Sequence, residues 1–318
     1  MTKPRVSIGL PVYNAANYLD ECLQSMLSQT FEDFELIISD NASTDETERL
    51  CRSWQEKDER IRYIRQPENV GAVRNHNLLV DYAQGEYFKW IGHDDVYDER
   101  WLEQCVQLLD SEPDVGWCQC RVLHIDEAGT VIAPEEDPAI LAGHSSHSLL
   151  ETGLVKPGYT RADRAACNRF HSVILGTTWC SDSYGLIRTE ILSRTGLFPQ
   201  CYGPEKVLMA ELALHARFAE IPDVLFYKRI HRGASAQIET PQERAHFVHG
   251  KTSSRIPSDR LVLLKGYLSA VRRAPLSLSE RARCTVSVMQ YLGQVNKWKR
   301  ILFSRPNKAP AARIPQNV

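Results

Sequence analysis

The chain reads as an α/β protein with a mostly parallel sheet, helices on both faces and a C-terminal helical extension. Three observations predict this. Short β-rich apolar runs alternate with helical patterns through the first 125 residues. Polar residues follow those runs at separated points: Asn14, then Asp40 and Asn41, then Asp94 and Asp95. Beyond residue 258 only helical spacing remains. In an open parallel sheet, ligands bind beyond the carboxyl ends of the strands. The polar residues should therefore converge on one crevice.

The elements follow in order. Arg5–Val12 is apolar and β-rich, and Ala16–Ser28 carries Leu19, Leu23, Met26 and Leu27 at helical spacing. Phe34–Ser39 is a strand. Thr44–Lys57 is a helix, with Ser43 or Thr44 as N-cap before an acidic first turn. Ile61–Arg65 alternates, Gly71–Ala83 is helical, and Glu86–Ile91 is a strand. Glu99–Leu109 is a helix and Val115–Ile125 a long strand. Residues 126–175, rich in Pro, Gly, Ser and His, read as long loops over the sheet with a short helix near Ala162–Phe170. Order returns at Tyr184–Ile187 and Thr189–Ser193. Glu205–Ala216 is strongly helical and Val224–Ile230 is a strand. Ser258–Arg273 and Ser277–Phe303 are helices broken at Pro275. From Pro306 a tail lacking core residues is expected to be disordered.

Composition narrows the function. The 318 residues are 43% hydrophobic and 25% charged, enough for one large domain with an extension. A net charge of -2 gives no electrostatic case for nucleic acid. The nine cysteines include no CxxC pair, so neither a zinc framework nor a disulfide scaffold is indicated. A reducing cytoplasm is the simplest expected home. The N-terminus runs straight into a strand, so no signal peptide is expected. No apolar stretch approaches the ~18–20 residues of a membrane helix.

Asp94 and Asp95 raise the sharpest question. Adjacent carboxylates repel, and neither is buried cheaply without a partner. Either they face water in a turn or they hold a cation. The surrounding motifs decide between these. The segment from Val6 through "SDNASTDET", the "NVGAVRNHN" stretch, "GHDD", and "YGPEKVLMAELALHARFAEIPDVLFYKRIH" occur in that order. Together they resemble family 2 inverting glycosyltransferases, over roughly Arg5 to Ser235. Each motif alone would be weak.

The resemblance implies a nucleotide-sugar-binding GT-A fold with a Rossmann-like sheet. It implies a catalytic domain over 1–240, with a nucleotide-sugar half over about 1–125 and an acceptor half over about 126–240. An extension over 241–305 and a tail over 306–318 complete the expected organisation. It also implies a nucleotide-diphosphate sugar donor, UDP- or dTDP-linked by preference, and a glycan or lipid-linked glycan acceptor in cell-envelope polysaccharide synthesis. A divalent cation, Mn2+ or Mg2+, suits carboxylate oxygens and would offset charge on the leaving diphosphate.

In that reading Asp95 is a metal ligand and Asp94 meets ribose or sugar hydroxyls; by itself the pair would be a solvated turn. Asp40 would accept an N–H from the base, or serve only an Asx turn. Pro11 and Tyr13 would shape the base pocket, with Asn14 beside them; plain packing is the alternative for Tyr13. Arg74 would reach the diphosphate or the base, or make a surface ion pair.

An inverting transfer needs one general base. The family places an acid where Glu205 stands, followed here by Lys206 rather than a second acid. Glu at a helix start is also favoured by the helix dipole. Glu211, further along the helix, should face elsewhere. His231 is expected at the metal or diphosphate, with Arg229 and Arg232 adding charge. Trp179 divides evenly between sugar stacking and core packing. The basic, aromatic stretch at 295–305 fits a peripheral membrane contact or a helix packing on the domain. "QVNKW" only superficially resembles the Q-x-x-R-W element of processive members, so single-sugar transfer is expected. Two other readings stay open. A sugar nucleotidyltransferase is one, although "PVYNAANYL" has neither the Gly nor the Lys of a triphosphate loop. The other is a nucleotide-sugar-binding module without catalysis.

Overall fold

The computed structural model describes residues 3–133, 161–176, 180–235, 238, 240–251 and 258–293. Trp179, the 295–305 stretch and the expected tail lie outside these residues. In chain order the main elements are β1 (Val6–Val12), α1 (Leu19–Leu27), β2 (Phe34–Asp40), α2 (Thr47–Lys57), β3 (Ile61–Arg65), α3 (Ala72–Tyr82) and β4 (Tyr87–Trp90). Then come β5 (Val96–Tyr97), α4 (Trp101–Ser111), β6 (Val115–Ile125), α5 (Ala166–His171), β7 (Leu186–Arg188) and α6 (Thr189–Leu192). The rest are α7 (Glu205–His215), β8 (Arg217–Arg229), α8 (Pro241–His249), α9 (Asp259–Arg273) and α10 (Leu278–Leu292).

All eight strands form one sheet in the order β3-β2-β1-β4-β7-β6-β8-β5. β1 pairs in parallel with both β2 and β4, β2 with β3, and β6 with β8. β7 enters antiparallel between β4 and β6, and β5 lies antiparallel on β8. The carboxyl ends of β1, β2, β3, β4, β6 and β8 therefore share one edge. Because β2 and β4 flank β1 on opposite sides, the chain switches direction there and leaves a crevice above that edge.

Period-two alternation divides the core. Val6, Ile8, Leu10, Leu36 and Ile38 face α1, α2 and α4, where Leu19, Leu23, Met26 and Trp101 complete one cluster. Ile37, Phe88, Trp90 and Trp117 face the opposite side with α3, α5, α7, α9 and α10. Helices thus cover both faces, as the alternation predicts. Burying each Leu or Met of α1 is worth about 1.5–3 kcal/mol. No helix among the described residues is long and apolar enough to cross a membrane.

Four local readings needed correction. The second helix starts at Thr47, not Thr44, because Asp40 and Asp45 draw the Ser43 and Thr47 N–H groups into turns. β8 begins at Arg217, seven residues before the Val224 expected. Its pairing register slips where Pro222 and Asp223 drop out of the ladder, and Pro222 has no N–H to donate. β5, only two residues long, carries no legible period. α8 was not anticipated, although Thr240, Pro241 and Glu243 form a capping box with Pro at the first helical position.

α9 and α10 are built into the second cluster, with the Tyr267 and Tyr291 rings meeting at 5.2 Å. Glu211, fully buried on α7, receives Arg273 Nε at 2.7 Å, Arg273 Nη2 at 2.9 Å and the Gly196 N–H at 2.9 Å. This carboxylate ties the end of α9 to the middle of α7 and faces away from the polar edge. Glu211→Ala leaves Arg273 and the Gly196 amide without their acceptor. It should lower unfolding free energy by about 2–3 kcal/mol, less than a fully enclosed pair because Arg273 is partly exposed. Urea denaturation checks this, and Glu211→Gln, which keeps an acceptor for Gly196, should cost less.

Candidate functional site

The loops at the polar edge are cross-linked before any ligand is considered. Asn14 adopts a left-handed backbone with φ 49, which Asn tolerates better than most residues. Its N–H donates to Ser43 Oγ at 3.0 Å and its Oδ1 accepts from the Thr44 N–H at 2.9 Å. Asp40 is fully buried; its Oδ1 accepts from the Ser43 N–H at 2.8 Å and its Oδ2 from the Tyr63 hydroxyl at 2.6 Å. Asn41 donates to Asn69 Oδ1 at 2.9 Å and accepts from the Val70 N–H at 2.8 Å. Those bonds fix the turn into α3. Gly71 enters α3 at φ 85, and a Cβ there would lie 2.2 Å from the Val248 carbonyl of α8. Above this frame Tyr13 is 43% exposed, and Pro11 is partly buried. Arg74 is exposed and makes no ion pair with any described residue.

Asp94 and Asp95 lie between the ends of β4 and β8, held by Arg229. The Arg229 N–H donates to Asp95 Oδ1 at 3.1 Å and its Nε to the Asp94 carbonyl at 2.9 Å. Its Nη1 reaches the Asp126 and Glu127 carbonyls, and its Nη2 pairs with Glu21 at 2.5 Å. The guanidinium lies 4.7 Å from the Tyr18 ring centroid. Arg229, expected to add charge at the diphosphate, thus has its hydrogen-bonding groups engaged by the scaffold. His231 Nε2 bonds Asp94 Oδ2 at 2.9 Å, with its ring 5.0 Å from that of Tyr18. The exposed Arg232 donates its N–H to Glu127 at 3.5 Å.

The remaining carboxylate oxygens converge. A Cβ on Gly92 would sit 2.7 Å from Asp94 Oδ1 and 2.8 Å from Asp95 Oδ2, so only glycine leaves that space open. Burial, and then the charge of Asp94, push the Asp95 carboxyl up to about 7. Burial opposes ionisation of Asp94 too, but the bond to His231 and nearby His93 hold that carboxyl below its ordinary value. One carboxyl poised near neutrality beside one held ionised is an arrangement a hard cation would complete. No group of three or more His, Cys, Asp or Glu side chains able to hold a metal occurs among the described residues. Such a cation would need further oxygens, which a diphosphate and water supply in sites of this kind.

Glu205 opens α7 partly buried, its carboxyl raised by burial against a bond from its own backbone N–H and the pull of Lys228 and Lys206. Lys228 acts on Asp95 as well and lies 5.4 Å from the Tyr184 ring centroid. Burial raises the Tyr184 phenol, and Glu205, Asp95 and Asp94 raise it further. Lys228 and Tyr184 thus link Glu205 to the Asp pair. Neither stands out in the sequence. In "YKRIH" alternation puts Lys228 on the opposite face of β8 from Arg229, a signal that was available. Lys89 was missed too. It is fully buried with no hydrogen-bond partner among the described residues, its Nζ 3.7 Å and 3.3 Å from the Tyr97 and Trp101 ring centroids. Burial lowers its pKa to about 7.

The sequence profile described as Glycosyl transferase family 2 matches residues 7–170, just over half of the chain. The chain belongs to that family. Glycosyltransferase GlyG of Streptococcus pneumoniae is 33% identical over 114 residues, 35% of this chain and 38% of that protein. The uncharacterized glycosyltransferase MJ1057 of Methanocaldococcus jannaschii is 31% identical over 134 residues, 42% of this chain and 46% of its own length. These matches thus span less than half of either relative. Residues 1–349 of Staphylococcus aureus TarS superpose with a TM-score of 0.62 at 16% identity, covering 95% of this chain and 76% of that one. The mannosyltransferase PcManGT of Pyrobaculum calidifontis, solved with GDP-Man and Mn2+, gives 0.53 at 18% identity over 96% of this chain and 82% of that one. These similarities establish the GT-A fold that the motif resemblance implied.

The Asp95 environment makes a pH prediction. Below about pH 4 the carboxyl is protonated folded and unfolded alike, so it costs nothing. As pH rises to about 7 the folded state keeps a proton that the unfolded chain has released, and stability falls through that window. Asp95→Asn should therefore raise the melting temperature of the metal-free protein at pH 8. The gain, on the order of 1–3 kcal/mol, should shrink toward pH 5. Thermal denaturation at both pH values checks this.

Proposed function

We propose that this chain is an inverting, metal-dependent, non-processive glycosyltransferase. It would move one sugar from a nucleotide-diphosphate donor, UDP- or dTDP-linked by preference, to a glycan or lipid-linked glycan of the cell envelope, at the cytoplasmic side. The observation that carries this reading is the meeting of two chemistries at one edge. Asp94 and Asp95 offer converging oxygens over Gly92, and the partly buried Glu205 carboxyl stands across Tyr184 and Lys228. Support for the donor class comes from relatives of the same fold, solved with UDP-GlcNAc or with GDP-Man and Mn2+.

Each residue then has a task. Pro11, Tyr13 and Asn14 border the base, and Asp40 accepts from its N–H while keeping the β2 loop in shape. Arg74, without an ion-pair partner among the described residues, turns to the diphosphate. Asp94 bonds ribose or sugar hydroxyls. Asp95, with His231 at the edge of the cluster, holds the divalent cation, which when bound offsets charge on the leaving diphosphate. His231 also orients Asp94. Glu205 takes the proton from the acceptor hydroxyl as that oxygen attacks the anomeric carbon opposite the leaving group. The bond from anomeric carbon to phosphate oxygen breaks, its electron pair leaves with the nucleoside diphosphate, and configuration inverts. The raised Glu205 carboxyl and the adjacent Lys228 suit a base that gains a proton in a partly enclosed site.

Glu205→Gln should reduce transfer by roughly 10²–10⁴-fold while keeping the melting-temperature rise given by nucleotide with Mn2+. Wild-type transfer by this variant would remove Glu205 from the base role. A thermal-shift panel of UDP, dTDP, GDP, ADP and CMP, each with Mn2+ or EDTA, tests donor and cation together. The expected result is a rise with UDP or dTDP that EDTA abolishes and that Asp95→Ala lacks.

A further inference from the structure

α9 and α10 each bury one face in the core, through Leu263, Tyr267, Ala270 and Val271 on α9 and Cys284, Val288 and Tyr291 on α10. A helix so placed normally turns a polar face outward. These two do not. At helical spacing α10 exposes Leu278, Ala282, Val286 and Met289, with Leu278 87%, Val286 55% and Met289 61% accessible. α9 exposes Leu261, Lys265, Leu268 and Arg272, with the two leucines 47% and 45% accessible. Scattered apolar residues are ordinary on a surface, but a stripe opposite the buried face of each of two consecutive helices is not.

The charge around the stripe is one-sided. Residues 258–293 hold six cations, Arg260, Lys265, Arg272, Arg273, Arg281 and Arg283, against Asp259 and Glu280, a surplus of four in a chain whose net charge is -2. Both carboxylates serve the fold: Asp259 accepts from the Tyr202 N–H and Glu280 completes the α10 capping box. Arg273 is paired with Glu211, and Arg281 bonds backbone carbonyls. Arg260, Lys265 and Arg272 have no carboxylate partner among the described residues.

We propose that the outward face of α9 and α10 docks on an anionic lipid bilayer surface, its leucine, valine and methionine side chains entering the headgroup boundary and its free cations meeting lipid phosphates. Apolar side chains ringed by unneutralised Lys and Arg are what such a surface recognises. A second copy of the chain fits less well, because two such faces would oppose surpluses of the same sign. The inference does not depend on the sugar-transfer reading and is tested without turnover.

The test is co-sedimentation of the full chain with vesicles of phosphatidylcholine alone or mixed with phosphatidylglycerol. Binding is expected only to the mixed vesicles, and raising salt from about 0.05 to about 0.5 M should weaken it. The double variants Leu278→Asp with Met289→Asp, and Lys265→Glu with Arg272→Glu, should each reduce partitioning by at least about tenfold. Both should retain the wild-type melting temperature, which separates lost docking from lost folding. Absence of binding to mixed vesicles, or equal binding to both compositions, would overturn the proposal. So would binding that survives both double variants, since another part of the chain would then carry it. A dimer in size-exclusion chromatography that Leu278→Asp with Met289→Asp dissolves would assign the face to self-association instead.

Discussion

Arg229 is the contact on which the polar edge depends. One nearly inaccessible guanidinium joins the loop after β4, the loop after β6 and the exposed Glu21 of α1, while its own amide holds Asp95. A buried guanidinium is costly unless its donors are satisfied. Here carbonyls, a carboxylate and the Tyr18 ring surround it. The same bonds that make Arg229 affordable fix the peptide carrying Asp94 and Asp95. Rigidity at the edge is therefore a consequence of burying that one cation.

The carboxylate pair is the converse case. Two acids lie within reach of one missing side chain at Gly92, and burial makes ionising Asp95 unfavourable. A fold would not select this arrangement for its own stability. Lys89 beneath it, caged by Tyr97 and Trp101 without a hydrogen bond, is a second destabilised group in the same region. Perturbed titrating groups of opposite type gathered at a switch point in the sheet are the usual physical signature of a ligand site.

The C-terminal helices solve a separate problem. α7 packs over β6 and β8, and α9 and α10 pack in turn on α7 and α5. α9 and α10 complete that cluster, anchored by Glu211 and Arg273. They share a core with the part of the chain that carries Glu205. Their outward stripe is unrelated to this packing, which is why it invites a separate explanation.

Much of the plan was determined by the sequence alone. Alternating runs fixed the strands and helices of the first half, because side-chain period dictates which faces can be buried. Turn residues after each strand located the polar edge, because parallel strands bring their carboxyl ends together. Other features were decided only by the tertiary structure. The two-residue β5 and the antiparallel insertion of β7 are set by partners far away in the chain. Arg229 acquired scaffold bonds that no local spacing encodes, and Asp40 gained the Tyr63 hydroxyl beside its local turn bond to Ser43. Lys89, Lys228 and Tyr184 became part of the site through distances and burial, because a cation's effect on a carboxylate depends on its surroundings and not on its place in the chain. Gly92 follows a strand in the sequence, and only the fold makes the two carboxylates converge where its side chain would be.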